Sequence, residues 1–330
     1  MNVLPTQAVS TAVFLLFGFS SLYVEAQVRD WNSNSGSWTD ASNWSPNAVP
    51  GFNEIARLGL LPVADEANVD LTADVYVGGL QLSGGVFLET NGNDVQTVLD
   101  TEVAGASSSG SNTRLEIEAS SFSTRDLNNS AQTRIVGGSL NVSRALDNTG
   151  ALFGDGTINL SGDSGVAFSN DGSLFVQSFT NDAAHLTINQ LSSGLIDLDG
   201  ATGQGEVRTR QPGGTLTVNG TQLADSFSGQ MNIHSTTALD MNLASAWTAD
   251  SASTINMFVS NDQTARLTGA SWNLNGSLTV SADPLAAVGS GIGLIEVGTV
   301  VGASANVLVE GGGKQLTFAA ATINGGEFTV

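Results

Sequence analysis

The sequence predicts an all-β fold, a right-handed parallel β-helix (β-solenoid) behind a Trp-rich N-terminal cap. Three observations predict it. A five-residue phrase returns along the chain. Nearly every gap between short apolar runs holds Gly, Asn, Asp or Ser, residues that tolerate sharp corners. No segment beyond the first two dozen residues keeps a 3.6-residue apolar period, so almost no helix is expected.

The phrase is a glycine, a small or polar residue, a large apolar residue, any residue, then valine. It stands at Gly138–Val142, Gly172–Val176, Gly214–Val218, Gly276–Val280 and Gly326–Val330. Each copy reads as a turn glycine followed by a strand whose side chains alternate in and out. Recurrence of one such unit marks a chain that stacks on itself. The glycines lie 34, 42, 62 and 50 residues apart in turn. The gaps of 42 and 62 suit two and three turns of roughly 21 residues each, within the usual repeat range; 34 and 50 imply coils of variable length. A second phrase, Asn-x-Gly before an apolar strand, sits at Asn148-Thr149-Gly150 and Asn170-Asp171-Gly172, 22 residues apart.

Composition bounds the rest. The chain has 330 residues, 10 basic and 31 acidic, for a formal net charge of −21. Phosphate binding needs clustered Lys and Arg, so nucleic acid and anionic lipid are excluded as partners. Hydrophobic residues make up 41%, enough for a core and too many for a disordered acidic chain. The absence of cysteine excludes disulfides and thiolate metal sites.

At the N-terminus, the apolar stretch Val9–Phe19 and the small residues of Val24-Glu25-Ala26 read as a secretory signal over residues 1–26, cleaved before Gln27. No Lys or Arg precedes that stretch, and a buried N-terminal helix is the alternative. No other segment approaches the ~20 apolar residues of a membrane span.

Residues 27–66 form a separate module. Trp31, Trp38 and Trp44 stand among Asn, Ser, Gly and Asp, followed by Val49-Pro50-Gly51. This order of a tryptophan, Gly-Ser-Trp, Asn-Trp and Val-Pro-Gly resembles the opening module of secreted bacterial β-solenoid surface proteins: autotransporter passengers and proteins with autotransporter-associated strand repeats. The resemblance covers roughly the first thirty mature residues, and Phe153–Ile158 resembles the repeats of such proteins. It implies a bacterial source and surface display. The tryptophans can cover the open first coil; the alternative is a sugar-stacking platform.

Solenoid repeats are expected over 67–330, in short strands such as Val75–Leu82, Val86–Glu89, Arg114–Glu118, Arg134–Val142, Thr157–Leu160, Ala238–Leu243 and Thr254–Val259. An antiparallel sandwich is the competing fold. The chain ends inside a repeat without a terminal cap, which suggests the N-terminal part of a longer protein.

Candidate chemistry is sparse. Asp197 and Asp199 are followed by Glu206, Arg208 and Arg210. Strand alternation places both aspartates opposite Ile196 and Leu198, and the Glu with both Arg on one face. On neighbouring rungs they would form one outer acid–base patch able to bind or cleave polysaccharide; the alternative is a solvated ladder of ion pairs. Weak calcium binding would fall at Asp155 and Asp163 in Gly-rich turns, although neither an EF-hand loop nor a Gly-Gly-x-Gly-x-Asp array is present. His185 and His234 show no partner by spacing, and there is no nucleophile elbow or phosphate loop. The expectation is a non-enzymatic structural or adhesive protein needing no cofactor. Its partners would be surface or matrix proteins, polysaccharide, or further copies of itself.

Overall fold

The computed structural model describes residues 26–59, 67–105, 113–177, 183–209, 213–234, 236–259, 266–274, 277–282, 293–301, 306–310, 317–318 and 323–324. Residues 1–25, nearly all of the expected signal segment, lie outside them. So does the last copy of the recurring phrase.

The described residues form an all-β structure whose thirty strands belong to one sheet. The pairing is almost wholly parallel. It falls into three ladders, and from Glu54–Leu58 onward each is visited once before the chain returns to the first. The first ladder runs through Gln27–Trp31, Glu54–Leu58, Gly79–Leu82 and Asp100–Val103, then on to Val166–Asn170 and Leu195–Asp197. The second runs through Ser35–Ser37, Ala67–Asp70, Val86–Glu89 and Arg114–Glu118, then on to Ser173–Val176, Glu206–Thr209, Gln230–Ile233 and Thr254–Val259. The third joins Val75–Val77, Val95–Thr97 and the start of Ser121–Asn129, and later His185–Gln190, Thr215–Gly220 and Ala238–Leu243. Parallel strands need a crossover, and here each crossover is itself two strands of the other ladders. This arrangement is compatible with a β-solenoid and not with a sandwich of hairpins. Parallel pairing already begins at Gln27–Asp30 with Glu54–Arg57, ahead of residue 67.

Alternation within each strand builds the core. In the third ladder Leu140, Ile158, Ile188, Val218 and Met241 succeed one another in register, each 0% exposed. In the second, Leu152, Leu174, Val207, Met231 and Ile255 form another buried row. Each coil thus places an apolar residue on the one before, and the hydrophobic effect acts along the stack.

Asparagines mark the corners and outer faces. Asn129, Asn148 and Asn170 are buried where the first ladder turns toward the second. Asn129 Nδ2 donates to Asn148 Oδ1 at 2.7 Å, and Asn148 Nδ2 to Asn170 Oδ1 at 2.7 Å. A second row lies on the outside of the third ladder. Asn159, Asn189, Asn219 and Asn242 each donate to the asparagine one coil earlier, at 2.8, 3.0, 2.9 and 3.0 Å, beginning at Asn141.

The recurring phrase turns out to fall on two ladders. Gly138–Val142 and Gly214–Val218 precede or form strands of the third, Gly172–Val176 and Gly276–Val280 strands of the second. Glycine-to-glycine spacing therefore does not measure a coil. The Asn-x-Gly spacing does, since Asn148 and Asn170 are register partners. Three expected strands need correction, and the first, Thr157–Leu160, is the end of the ten-residue Ala151–Leu160, which serves the second and third ladders. Val75–Leu82 is two strands, Val75–Val77 and Gly79–Leu82, with a corner at Gly78, where a Cβ would come 2.8 Å from the Glu54 carbonyl oxygen. Arg134–Val142 lies within the 17-residue Gln132–Asn148, which serves all three ladders.

Candidate functional site

Acidic residues gather at the corner between the first and second ladders. Leu195–Asp197 closes the first ladder of its coil, and Glu206–Thr209 opens the second. The turn between them is Gly-rich, with positive φ at Gly200 (68°) and Gly203 (64°), conformations glycine adopts without strain. A carboxylate oxygen from each of Asp197, Asp199 and Asp225 lies within 4.8 Å of the others. Asp197 and Asp199 are 6% and 3% exposed, whereas Asp225 is exposed.

Backbone groups hold these acids. Asp197 Oδ1 accepts from the Gly200 N–H at 2.7 Å and the Asp199 N–H at 3.2 Å. Asp199 Oδ2 accepts from the Ser228 N–H at 2.7 Å, one coil onward. One coil back, Asp171 Oδ1 accepts from the Thr202 N–H at 2.8 Å and its hydroxyl at 2.6 Å. The carboxylates therefore satisfy turn N–H groups that would otherwise be orphaned.

Burial pushes the Asp199 carboxyl up to about 6, and the negative charges of Asp197 and Asp225 push the same way against the Ser228 bond. Burial, then Asp197 and Asp250, also raises Asp225. The Thr202 hydroxyl holds Asp171 below its ordinary value. Three converging carboxylate oxygens suit a hard divalent cation, and a carboxyl that titrates near neutrality suits proton transfer.

The sequence-derived patch is divided by this geometry. Asp197 and Asp199 do not lie on an outer sheet face; with Ile196 and Leu198 they are all buried, because alternation stops where the strand ends at Asp197. Their strand and that of Glu206 belong to one coil on different ladders, not to neighbouring rungs. Glu206 and Arg208 do share a face, where they bond each other: Arg208 Nε and Nη2 donate to Glu206 Oε1 at 3.0 and 2.6 Å. Arg210 lies outside the described residues. Asp225 was missed because it sits in an irregular stretch with no strand pattern around it.

The other sequence candidates fare differently. Trp31, Trp38 and Trp44 are 2%, 2% and 0% exposed. Their rings pack edge to face, Trp44 with Trp31 at 5.1 Å and with Trp38 at 4.7 Å, and the Trp44 indole donates to the Trp38 carbonyl at 2.8 Å. No ring face is open to a sugar, which corrects the stacking-platform reading. Asp155 accepts from the His185 N–H at 2.9 Å, and neither it nor Asp163 joins the converging acids. His234 stacks on Phe258 at 4.7 Å.

Sequence spacing did not reveal where the arginines go. Among the described side chains, every arginine meets a carboxylate: Arg29 with Glu54, Arg57 with Asp30, Arg114 and Arg134 with Glu116, Arg125 with Asp100 and Asp126, Arg144 with Asp126, and Arg208 with Glu206. Most of these pairs bridge adjacent coils. No described helix is long and apolar enough to cross a membrane. No protein-family model matches the chain, and neither a curated protein nor a solved structure matches it.

Proposed function

We propose that this chain is a secreted structural or adhesive β-solenoid of a bacterial cell surface or extracellular matrix, without catalytic activity or cofactor. In this reading the coil is right-handed and the Trp31–Trp38–Trp44 cluster caps its first turn. The cap reading is supported by Trp44–Ser45, which pairs antiparallel with Asp30 and Trp31 and so covers the C-terminal part of the outer edge of Gln27–Trp31. The observation that carries the functional reading is the use of polar residues between coils. Asparagine rows and arginine–carboxylate pairs tie one coil to the next, and the acids of the best-formed cluster hold turn backbone. Such a molecule presents long regular faces for contact with surface or matrix proteins, polysaccharide, or copies of itself. Loose cations, calcium among them, would screen its acidic surface.

The test is localisation and assembly of the full-length gene product. Protease shaving of intact cells should remove it, and the purified chain should form ordered assemblies as its concentration rises. Recovery only from the cytoplasm would sink the proposal.

One observation favours a second reading, polysaccharide cleavage: carboxylate oxygens of Asp197, Asp199 and Asp225 converge within 4.8 Å of one another, and burial pushes the Asp199 carboxyl up to about 6, towards the range of a general acid. Release of reducing ends from a polysaccharide panel, lost in Asp199→Asn, would establish it.

A further inference from the structure

The corner where the third ladder turns back to the first carries an open groove, on a different edge from the aspartate cluster. One cavity of about 470 Å³ runs across four successive coils, from Gln96 and Val98 past Ser123 and Asn141 to Ser143 and Ser161. A second, of about 400 Å³, adjoins it. Phe52 and Val98 border both cavities, and Phe52 is 57% exposed. Phe52 thus offers an exposed aromatic ring at the boundary of two hollows.

The wall of this groove continues a polar row. Tyr76, Gln96, Ser123 and Asn141 succeed one another in register on the outside of the third ladder, and the row goes on through the outer asparagines. Tyr76, at its N-terminal end, is 56% exposed. An amide side chain offers two N–H donors and two acceptor lone pairs. Along the asparagine row each coil-to-coil bond uses one of each, which leaves a donor and a lone pair on Asn159, Asn189 and Asn219 for a ligand, while Asn141 spends its amide on Ser121 and Ser123 and keeps a lone pair. The row repeats at the strand spacing, ~4.8 Å, close to the length of one pyranose ring.

Charge narrows the ligand further. Among the described residues Arg125 is the one cation lining the groove, and it is bound to two acids, Asp100 at 2.6 Å and Asp126 at 3.1 Å. Its charge is already offset by those two carboxylates, and the whole chain carries −21. Aromatic faces, repeated amides and hydroxyls, and an arginine already paired with acids together match an uncharged sugar chain.

We infer that the groove and outer polar row of the third ladder bind a neutral, extended oligosaccharide along the stack, with Phe52 and Tyr76 as stacking platforms at one end. This goes beyond the adhesive proposal, to which it would supply a partner, and holds wherever the protein resides. It involves no bond cleavage.

Calorimetric titration of the full chain with cellohexaose, xylohexaose and mannohexaose, beside hexagalacturonate as the charged comparison, tests it. At least one neutral hexamer should bind, with hexagalacturonate at least tenfold weaker. Phe52→Ala and Tyr76→Ala should each weaken binding about tenfold, the scale of one stacked ring, while Phe52→Trp retains it. Both rings are more than half exposed, so circular dichroism should be unchanged in all variants. No binding of any neutral hexamer, tighter binding of hexagalacturonate, or binding indifferent to both alanine variants would each overturn the inference. A cytoplasmic location would leave it standing, and failure to bind sugar would leave surface display standing.

Discussion

Asn148 donates its side-chain amide to Asn170 at 2.7 Å, although 22 residues separate them. The same amide reaches the Ser173 carbonyl at 3.2 Å, and Asn148 Oδ1 accepts from Asn129 at 2.7 Å. Sequence period and coil period coincide at this pair, and three consecutive coils are stitched through one side chain.

Asn148→Ala should therefore be among the more damaging single changes at the corners. It strands the Asn129 donor and the Asn170 acceptor in a buried site, at roughly 1–3 kcal/mol for each unsatisfied group. Urea denaturation should show a loss of about 2–5 kcal/mol. A loss under 0.5 kcal/mol would mean that water replaces the ladder.

Thr133→Val should stabilise the protein. Thr133 is 0% exposed, its hydroxyl has no partner, and its register neighbours are Leu115 and Leu152. Replacing an unpaired buried hydroxyl with a methyl of nearly the same shape removes a desolvation penalty of about 1 kcal/mol or more. The urea midpoint should rise at an unchanged slope.

Gly154→Ala should disrupt the coil around it. Gly154 has φ of 138°, and an added Cβ would fall 1.9 Å from the Ile135 carbonyl oxygen, rigid backbone of the preceding coil. The expected loss exceeds about 3 kcal/mol, because both strain and collision must be relieved. Native-level thermal stability in the variant would show that the coils separate more easily than their pairing implies.

Stability should also depend on pH through Asp199. Its folded value of about 6 lies above the ordinary carboxyl value, so the folded state holds the extra proton between about pH 4 and pH 6. The stabilisation it brings is complete near pH 4 and is lost as pH rises through 6, on the order of 2 kcal/mol. Asp199→Asn, neutral at every pH, should flatten that slope. A wild-type stability that rises from pH 4 to 6 with a slope insensitive to Asp199→Asn would contradict the assignment.

The architecture was legible where side chains alternate between apolar and polar. Val86–Glu89, Arg114–Glu118, Ala238–Leu243 and Thr254–Val259 were readable to the residue. Asp100–Val103 and Ser121–Asn129 were not, because Thr101, Thr124 and Asp126 occupy buried positions that a hydropathy pattern marks as exposed. The proposed patch failed for a related reason. Alternation placed Asp197 and Asp199 outside, but a turn begins after Asp197, and a carboxylate that caps turn N–H groups is best placed inside. Phe52 carried no sequence signal, since a lone aromatic is read as core until its exposure is known, whereas alternation in Val75–Val77 turns Tyr76 outward.

Because each strand meets its counterpart from the next turn in the same direction, every cross-section of the stack offers much the same upper and lower rim. Residues 130–148 make one such storey, and without them the Asn129 amide would face that of Asn170 as it now faces that of Asn148. Molecular length is thus a variable that evolution or an engineer can change in single-storey steps, without redesigning a tertiary interface.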